Sequence, residues 1–269
     1  MENKPGTTFW DHLEALRWVL FRVVFIAVVA AVAAFAFKEP LFNVILAPGK
    51  PEFILYKVIY WLGQLVGLES VIPISFNVDL FSSTLTAQFV THLKIAFYFG
   101  LIAIMPYALF EIYRFVSPAL HQNERNHTAG VVGWSYILFL MGVLLNYFLI
   151  FPLAFRFLGT YQVSDEIPNM ITLVSYTDLL LTLTLMMGVL FELPILSWFF
   201  AKLGMINAGF MKKYRRHAFV IILIIAAFIT PTTDVFTLII ASMPIYLLYE
   251  VSILIVKRTV KKTSILQKT

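Results

Sequence analysis

Apolar residues in this chain come in runs of 13 to 25, separated by short segments that collect the charge. A soluble fold cannot hide such runs, because each of its elements needs a polar face toward water. Hydrophobic residues reach 60% and charged ones only 13%, so the shortage of polar surface extends over the whole length. The chain reads as an all-α integral membrane protein that crosses the bilayer several times.

A spanning helix needs roughly 20 mostly apolar residues, since the hydrocarbon layer is about 30 Å thick and a helix rises ~1.5 Å per residue. Five runs meet that length: Trp18 to Phe37, Ile95 to Val116, Val131 to Phe155, Leu179 to Ala201 and Val235 to Val256. Arg22 lies near one end of the first, where it can snorkel. A sixth, Ala218 to Thr230, has 13 residues and spans only by borrowing Tyr214 to His217 or by thinning the bilayer. Phe53 to Leu68 is aromatic, carries Lys57 and reads as an amphipathic segment on the outer interface. Ala34-Phe35-Ala36 resembles a signal-cleavage site, but the apolar stretch is too long and Asp11 and Glu14 precede it.

Sidedness follows from the basic residues. With six spans and both termini in the cytoplasm, 15 of the 20 lysines and arginines fall on the inner side. That asymmetry is what the positive-inside rule demands. The expectation is therefore one membrane domain over 1–269. It has a cytoplasmic amphipathic segment at 1–17, an extracytoplasmic cap loop at 38–92 and a basic cytoplasmic tail at 257–269.

Several function classes drop out. There is no cysteine, so disulfides and thiolate metal sites are excluded. The five histidines, His12, His92, His121, His127 and His217, never pair at ligand spacing, and no metal or cofactor is expected. Neither a Walker sequence nor a Gly-x-Ser-x-Gly or His-Glu-x-x-His motif occurs, so no enzyme is predicted. The net charge of +5 serves topology and contact with anionic membrane lipid, with no nucleic acid implied.

Glu192 is the polar residue hardest to place. It lies near the bilayer midplane of the fourth long run, where an ionised carboxylate costs several kcal/mol. It must be neutralised, paired, or turned toward a cavity or another helix. Three readings stand: a hydrogen bond within its own bundle to Thr182, Thr184 or Gln88, a docking point for a partner helix, or a proton or ion site. Pro194 removes the hydrogen bond that Leu190 would accept, which predicts a bend. Asp234 turns the chain and caps the helix that begins at Val235, and Glu250 pairs with Lys257 or snorkels.

Short motifs then carry a resemblance. His12-Leu13-Glu14-Ala15-Leu16-Arg17 opens the chain's first helix. Leu93-Lys94, Pro106, Phe115-Val116-Ser117-Pro118-Ala119-Leu120 and Glu124-Arg125 mark the second span and its loop. Asn146 to Phe155, Phe191-Glu192-Leu193-Pro194, Thr230-Pro231-Thr232-Thr233-Asp234, Pro244 and Tyr246 complete the series. In this order, on a six-span topology, the chain resembles the TatC family of the twin-arginine, Sec-independent protein translocase.

That resemblance implies a core receptor subunit in the bacterial cytoplasmic (inner) membrane, multi-pass, with both termini cytoplasmic. It implies a concave, glove-like bundle with an extracytoplasmic cap. The implied partners are twin-arginine signal peptides, TatA- and TatB-type single-span subunits and other TatC copies, with folded proteins exported on the proton motive force. It places Glu124, Glu14, Arg17, His12, Leu16, Phe115 and Pro118 at the signal peptide, and Glu192, Pro194 and Tyr147 at a partner helix. Pro48, Pro106, Asp234 and Pro231 are implied in structural or extracytoplasmic roles. Where the family has a glutamate in the opening segment this chain has Ala15, so Glu124 is expected to carry more of the recognition, helped by Asp11 or Glu14. The alternative is a secondary transporter with Glu192 as its coupling-ion site.

Overall fold

The computed structural model describes residues 9–66, 79–116, 128–162, 164, 169–230 and 234–266. Helices dominate: α1 (Phe9–Phe35), α2 (Lys38–Leu46), a 3-10 turn (Ala47–Gly49), α3 (Ile54–Val66), α4 (Ala87–Val116), α5 (Thr128–Leu145), a π turn (Asn146–Ile150) and α6 (Phe151–Thr160). After them come α7 (Leu173–Leu190), α8 (Leu193–Lys202), α9 (Ala208–Lys213), α10 (Arg215–Ile229) and α11 (Val235–Leu266). One departure from an all-helical chain is a two-residue parallel pair, β1 (Leu80–Phe81) with β2 (Ile171–Thr172). Backbone groups of two connecting segments satisfy each other there, which no period in the sequence announces.

Among the described residues, five stretches are long and apolar enough to cross a membrane: Leu13–Phe35, Ala87–Phe115, Gly130–Thr160, Leu173–Lys202 and Val235–Thr259. The sixth expected crossing falls on α10, whose 15 residues include Arg215, Arg216 and His217. That is about 22 Å of helix, short of a ~30 Å hydrocarbon layer. The segment expected on the outer interface forms α3 over most of its length, and residues 67–68 lie outside the described residues.

Two compact units emerge, 1–36 with 96–137 and 37–95 with 138–269. In the first, α1 packs on α4 through Ala27, Ile104 and Ala108, flanked by Val23, Ile26, Ala30, Leu101 and Met105. The small side chains of Ala27, Ala30 and Ala108 let the backbones approach closely, as membrane helices do where lipid offers no competing hydrophobic drive. A Cβ added at Gly100 would lie 2.7 Å from the Ala31 nitrogen, so only glycine fits there.

In the second unit, α7 and α8 form the most enclosed span. Met187 and Phe191 pack with Ile150, Ile222, Ala241, Ile245 and Leu248 from the π turn, α10 and α11. Ala201 and Met211 meet Ile253 and Val256 at the other end of α11. A Cβ at Gly142 would stand 2.5 Å from the Met187 carbonyl, so α5 and α7 touch backbone to backbone at that level. Caps fix the starts. Thr172 accepts from Ser175 N–H at 3.1 Å, Asn207 from Phe210 N–H at 2.8 Å and Asp234 from Thr237 N–H at 2.6 Å.

Candidate functional site

Within the first unit, α1 carries Glu14 and Arg17 exposed, with Leu16 half-buried. Arg17 sets its guanidinium 5.5 Å from the centre of the Phe21 ring, an attraction between a cation and the ring's negative face. Leu13, Leu16, Arg17, Leu20, Phe21 and Val24 line a shallow apolar hollow. Phe115 is half-buried near the end of α4. The backbone of His12 belongs to α1, but its side chain lies outside the described residues, as do Pro118 and Glu124 altogether.

Arg22 departs from the snorkelling expectation. Its Nη2 donates to Glu111 Oε2 at 2.9 Å, while the Tyr107 hydroxyl donates to Glu111 Oε1 at 3.2 Å. Glu111 is 4% exposed. A carboxylate this enclosed, inside an apolar helix, needs a counter-charge, and the guanidinium facing it from α1 supplies one in a medium where attraction is strong.

In the second unit, Glu192 sits in the two-residue break between α7 and α8 and is 7% exposed. Its amide donates to Val189 O, and its carbonyl accepts from Ile195 and Leu196 N–H, so the backbone restarts as α8 with Pro194 in the first turn. Proline is tolerated there because that N–H has no helical partner to lose. The bend expected from Pro194 therefore takes the form of a helix stop and restart.

Thr184, one of the partners considered for Glu192, is engaged elsewhere. It donates to Leu180 O at 2.7 Å and accepts from Asn146 Nδ2 at 2.8 Å. Asn146 is fully buried and opens the π turn. Tyr147 turns its hydroxyl to Val44 O at 2.7 Å and its ring edge-on to Phe53, a use inside this unit beyond the docking role implied for it.

Tyrosine hydroxyls pin the segment that holds Pro48. Tyr56 donates to Pro48 O and Pro152 O, both at 3.0 Å, and Tyr176 donates to Ile45 O at 2.8 Å. Burial pushes the Tyr56 hydroxyl well above the usual phenol range, an effect the nearby Arg156 partly offsets, so it stays a donor. Pro48 is itself buried, Pro106 interrupts the hydrogen bonding inside α4, and Pro231 lies outside the described residues. Glu250 pairs with Arg215 and not with Lys257, and its other oxygen accepts from Tyr246 at 3.3 Å. Lys257 follows on the same helix, whereas Arg215 stands across from Glu250 at the start of α10.

Among the polar contacts of the described residues that escape a reading of the sequence are Arg22 with Glu111, Asn146 with Thr184, and Lys94 with Asp178 at 2.8 Å. A signal existed for the first. Arg22 and Glu111 lie four and five residues inside the inner ends predicted for adjacent spans, so their depths match. The other two depend on which helix faces which. Among the described residues no group of three or more histidine or acidic side chains could hold a metal ion.

A family model described as Sec-independent protein translocase protein (TatC) matches residues 11–244. The Sec-independent protein translocase protein TatC of Blattabacterium sp. subsp. Periplaneta americana is 34% identical over 259 residues, covering 95% of this chain and 97% of its own length. That of Carboxydothermus hydrogenoformans is 32% identical over 257 residues, with 96% and 95% covered. A crystal structure of a twin-arginine translocase receptor, TatC, superposes with a TM-score of 0.74 at 27% identity over 92% of this chain and 99% of that one.

Proposed function

This chain belongs to the TatC family of Sec-independent protein translocase proteins, and from that membership we propose that it is the subunit that binds twin-arginine signal peptides. It is a membrane component of the protein-transport machinery and no classical enzyme. In the proposed reading it also gathers TatA- and TatB-type single-span subunits and further copies of itself, and exports folded proteins on the proton motive force. Six spans in the bacterial inner membrane, the last but one short, keep both termini in the cytoplasm and build a concave wall with an outer cap.

The observation that best supports recognition is the surface at the start of α1. An exposed carboxylate, Glu14, shares it with an apolar hollow floored by Leu13, Leu20 and Phe21. A leader with two arginines and an apolar stretch has a use for both. A carboxylate accepts two N–H groups from the planar guanidinium fork, a geometry that a lysine ammonium cannot reproduce. With Ala15 in place of an acid, this reading assigns the second carboxylate to Glu124, which follows α4 in the sequence.

Capture by a twin-arginine peptide, against a twin-lysine control in native membranes, tests this. Preferential capture, lost in Glu124→Ala and weakened in Glu14→Ala, is the expected result. Equal capture of both peptides by the unaltered chain would overturn the receptor role. The carrier alternative gives way to the family membership.

A further inference from the structure

α1 is held against its neighbour by an apolar seam. Ala27, Ala30 and Ala31 come close to Gly100 and Ala108, with Val23, Ile26, Leu101, Ile104 and Met105 packed around them. Apolar contacts are non-directional, so they fix the distance between two helices better than they fix the rotation of either about its own axis. Among the described residues, 11% of the α1 span is buried against the rest of the chain.

One contact at this seam is directional. Arg22 donates to Glu111 at 2.9 Å, and Tyr107 holds the second carboxylate oxygen, so the acceptor is fixed before the guanidinium arrives. The pair lies to one side of the line formed by Val23, Ile26, Ala27 and Ala30, about a quarter-turn round the helix at ~100° per residue. An anchor off the axis resists rotation, as one on the axis would not.

Rotation matters because of where the acid stands. Ala15 lies two turns before Arg22 and, at ~100° per residue, falls within about 20° of Arg22's own direction, to one side of the seam, where it is exposed. Glu14, one residue earlier, falls nearly opposite the seam and points outward with Phe21 and Arg17. A quarter-turn of α1 would carry Glu14 off the outward face.

We propose that the Arg22–Glu111 ion pair is a positioning device that locks the rotation of α1 so that Glu14 faces an incoming guanidinium-bearing leader. The inference rests on the receptor reading above. Neither member touches the leader. Each acts through α1, and the chain thereby uses a carboxylate at 14 where 15 offers none.

Because the chain has no cysteine, an introduced pair reports rotation without background. Ala27→Cys with Ala108→Cys, neighbours in one apolar cluster, is oxidised in native membranes beside Arg22→Met, Glu111→Gln and the exchanged pair Arg22→Glu with Glu111→Arg. Peptide affinity is measured on the same backgrounds without the added cysteines. Each single variant should lower the cross-linked fraction several-fold, since cysteines whose Cα atoms part beyond about 7 Å cannot bridge. Each should also weaken twin-arginine binding about tenfold, or ~1.4 kcal/mol. The exchanged pair should recover both.

Recovery separates positioning from folding, because a general loss of structure would not be repaired by reversing two charges. Cross-linking and affinity left unchanged in both single variants, or left unrecovered in the exchanged pair, would overturn the proposal. If instead the unaltered chain binds twin-arginine and twin-lysine peptides alike, the receptor reading falls, while the cross-linking still decides whether the pair sets the rotation of α1.

Discussion

Glu192 and Glu111 are both buried acidic residues in apolar stretches, and their backbone settings differ: Glu111 lies within α4, Glu192 between α7 and α8. Glu111 has a guanidinium and a phenol on its two oxygens. Glu192 stands where the helix itself stops, with its backbone drawn into the first turn of α8. In the proposed reading a polar side chain on a partner helix meets Glu192, a contact between membrane helices worth roughly 0.6–2 kcal/mol. If hydrogen bonding is what counts, Glu192→Gln should retain co-purification with the single-span subunits and most export. Export abolished while co-purification survives would point to proton transfer instead. Glu192 was legible in the sequence because a charge within an apolar run has no ordinary explanation. The partner of Glu111 was not, since a contact 89 residues away in the chain leaves no local pattern.

At the scale of elements, two features set how helices meet. The π turn at Asn146–Ile150 widens the backbone where α5 hands over to α6, and Asn146 opens it facing Thr184 on α7. One turn earlier Gly142 lets α5 touch the Met187 carbonyl. The side chain missing at 142 is therefore structural, and Gly142→Ala should cost ~1–3 kcal/mol by forcing those backbones apart. Gly130→Ala is the control, because a Cβ there meets nothing within 4 Å, and helix propensity alone should make it neutral or stabilising by up to ~1 kcal/mol. Thermal unfolding of the two purified variants in the same detergent compares them. Equal midpoints would show that α5 and α7 are free to adjust. Period and composition predicted that these helices exist. They could not predict the π turn, the stop at Glu192 or the β1–β2 pair, each of which answers a neighbour distant in sequence.

For the whole molecule, orientation governs everything proposed, since the leader is made in the cytoplasm and Glu14 and Glu124 must face it. A lone cysteine at position 124 should react with a membrane-impermeant maleimide in inverted vesicles and stay protected in intact cells. One at position 50 should do the reverse. Reaction of both from the same side would refute the six-span topology, because α4, which lies between the two positions, would then not cross.

The order of apolar runs, the distribution of lysine and arginine, and the presence of a costly acid at 192 were all determined by the sequence alone. Each is a cost of transfer between water and lipid, and such costs add up along a chain without knowledge of its neighbours. Tertiary structure decided the rest: Arg22 turned to Glu111, Glu250 took Arg215, and Tyr56, Tyr147 and Tyr176 sent their hydroxyls to the carbonyls around Pro48. Inside a bilayer the hydrophobic effect does not choose among helix pairings, so close packing and a few directional polar contacts make the choice. Those contacts exist only once the helices stand side by side.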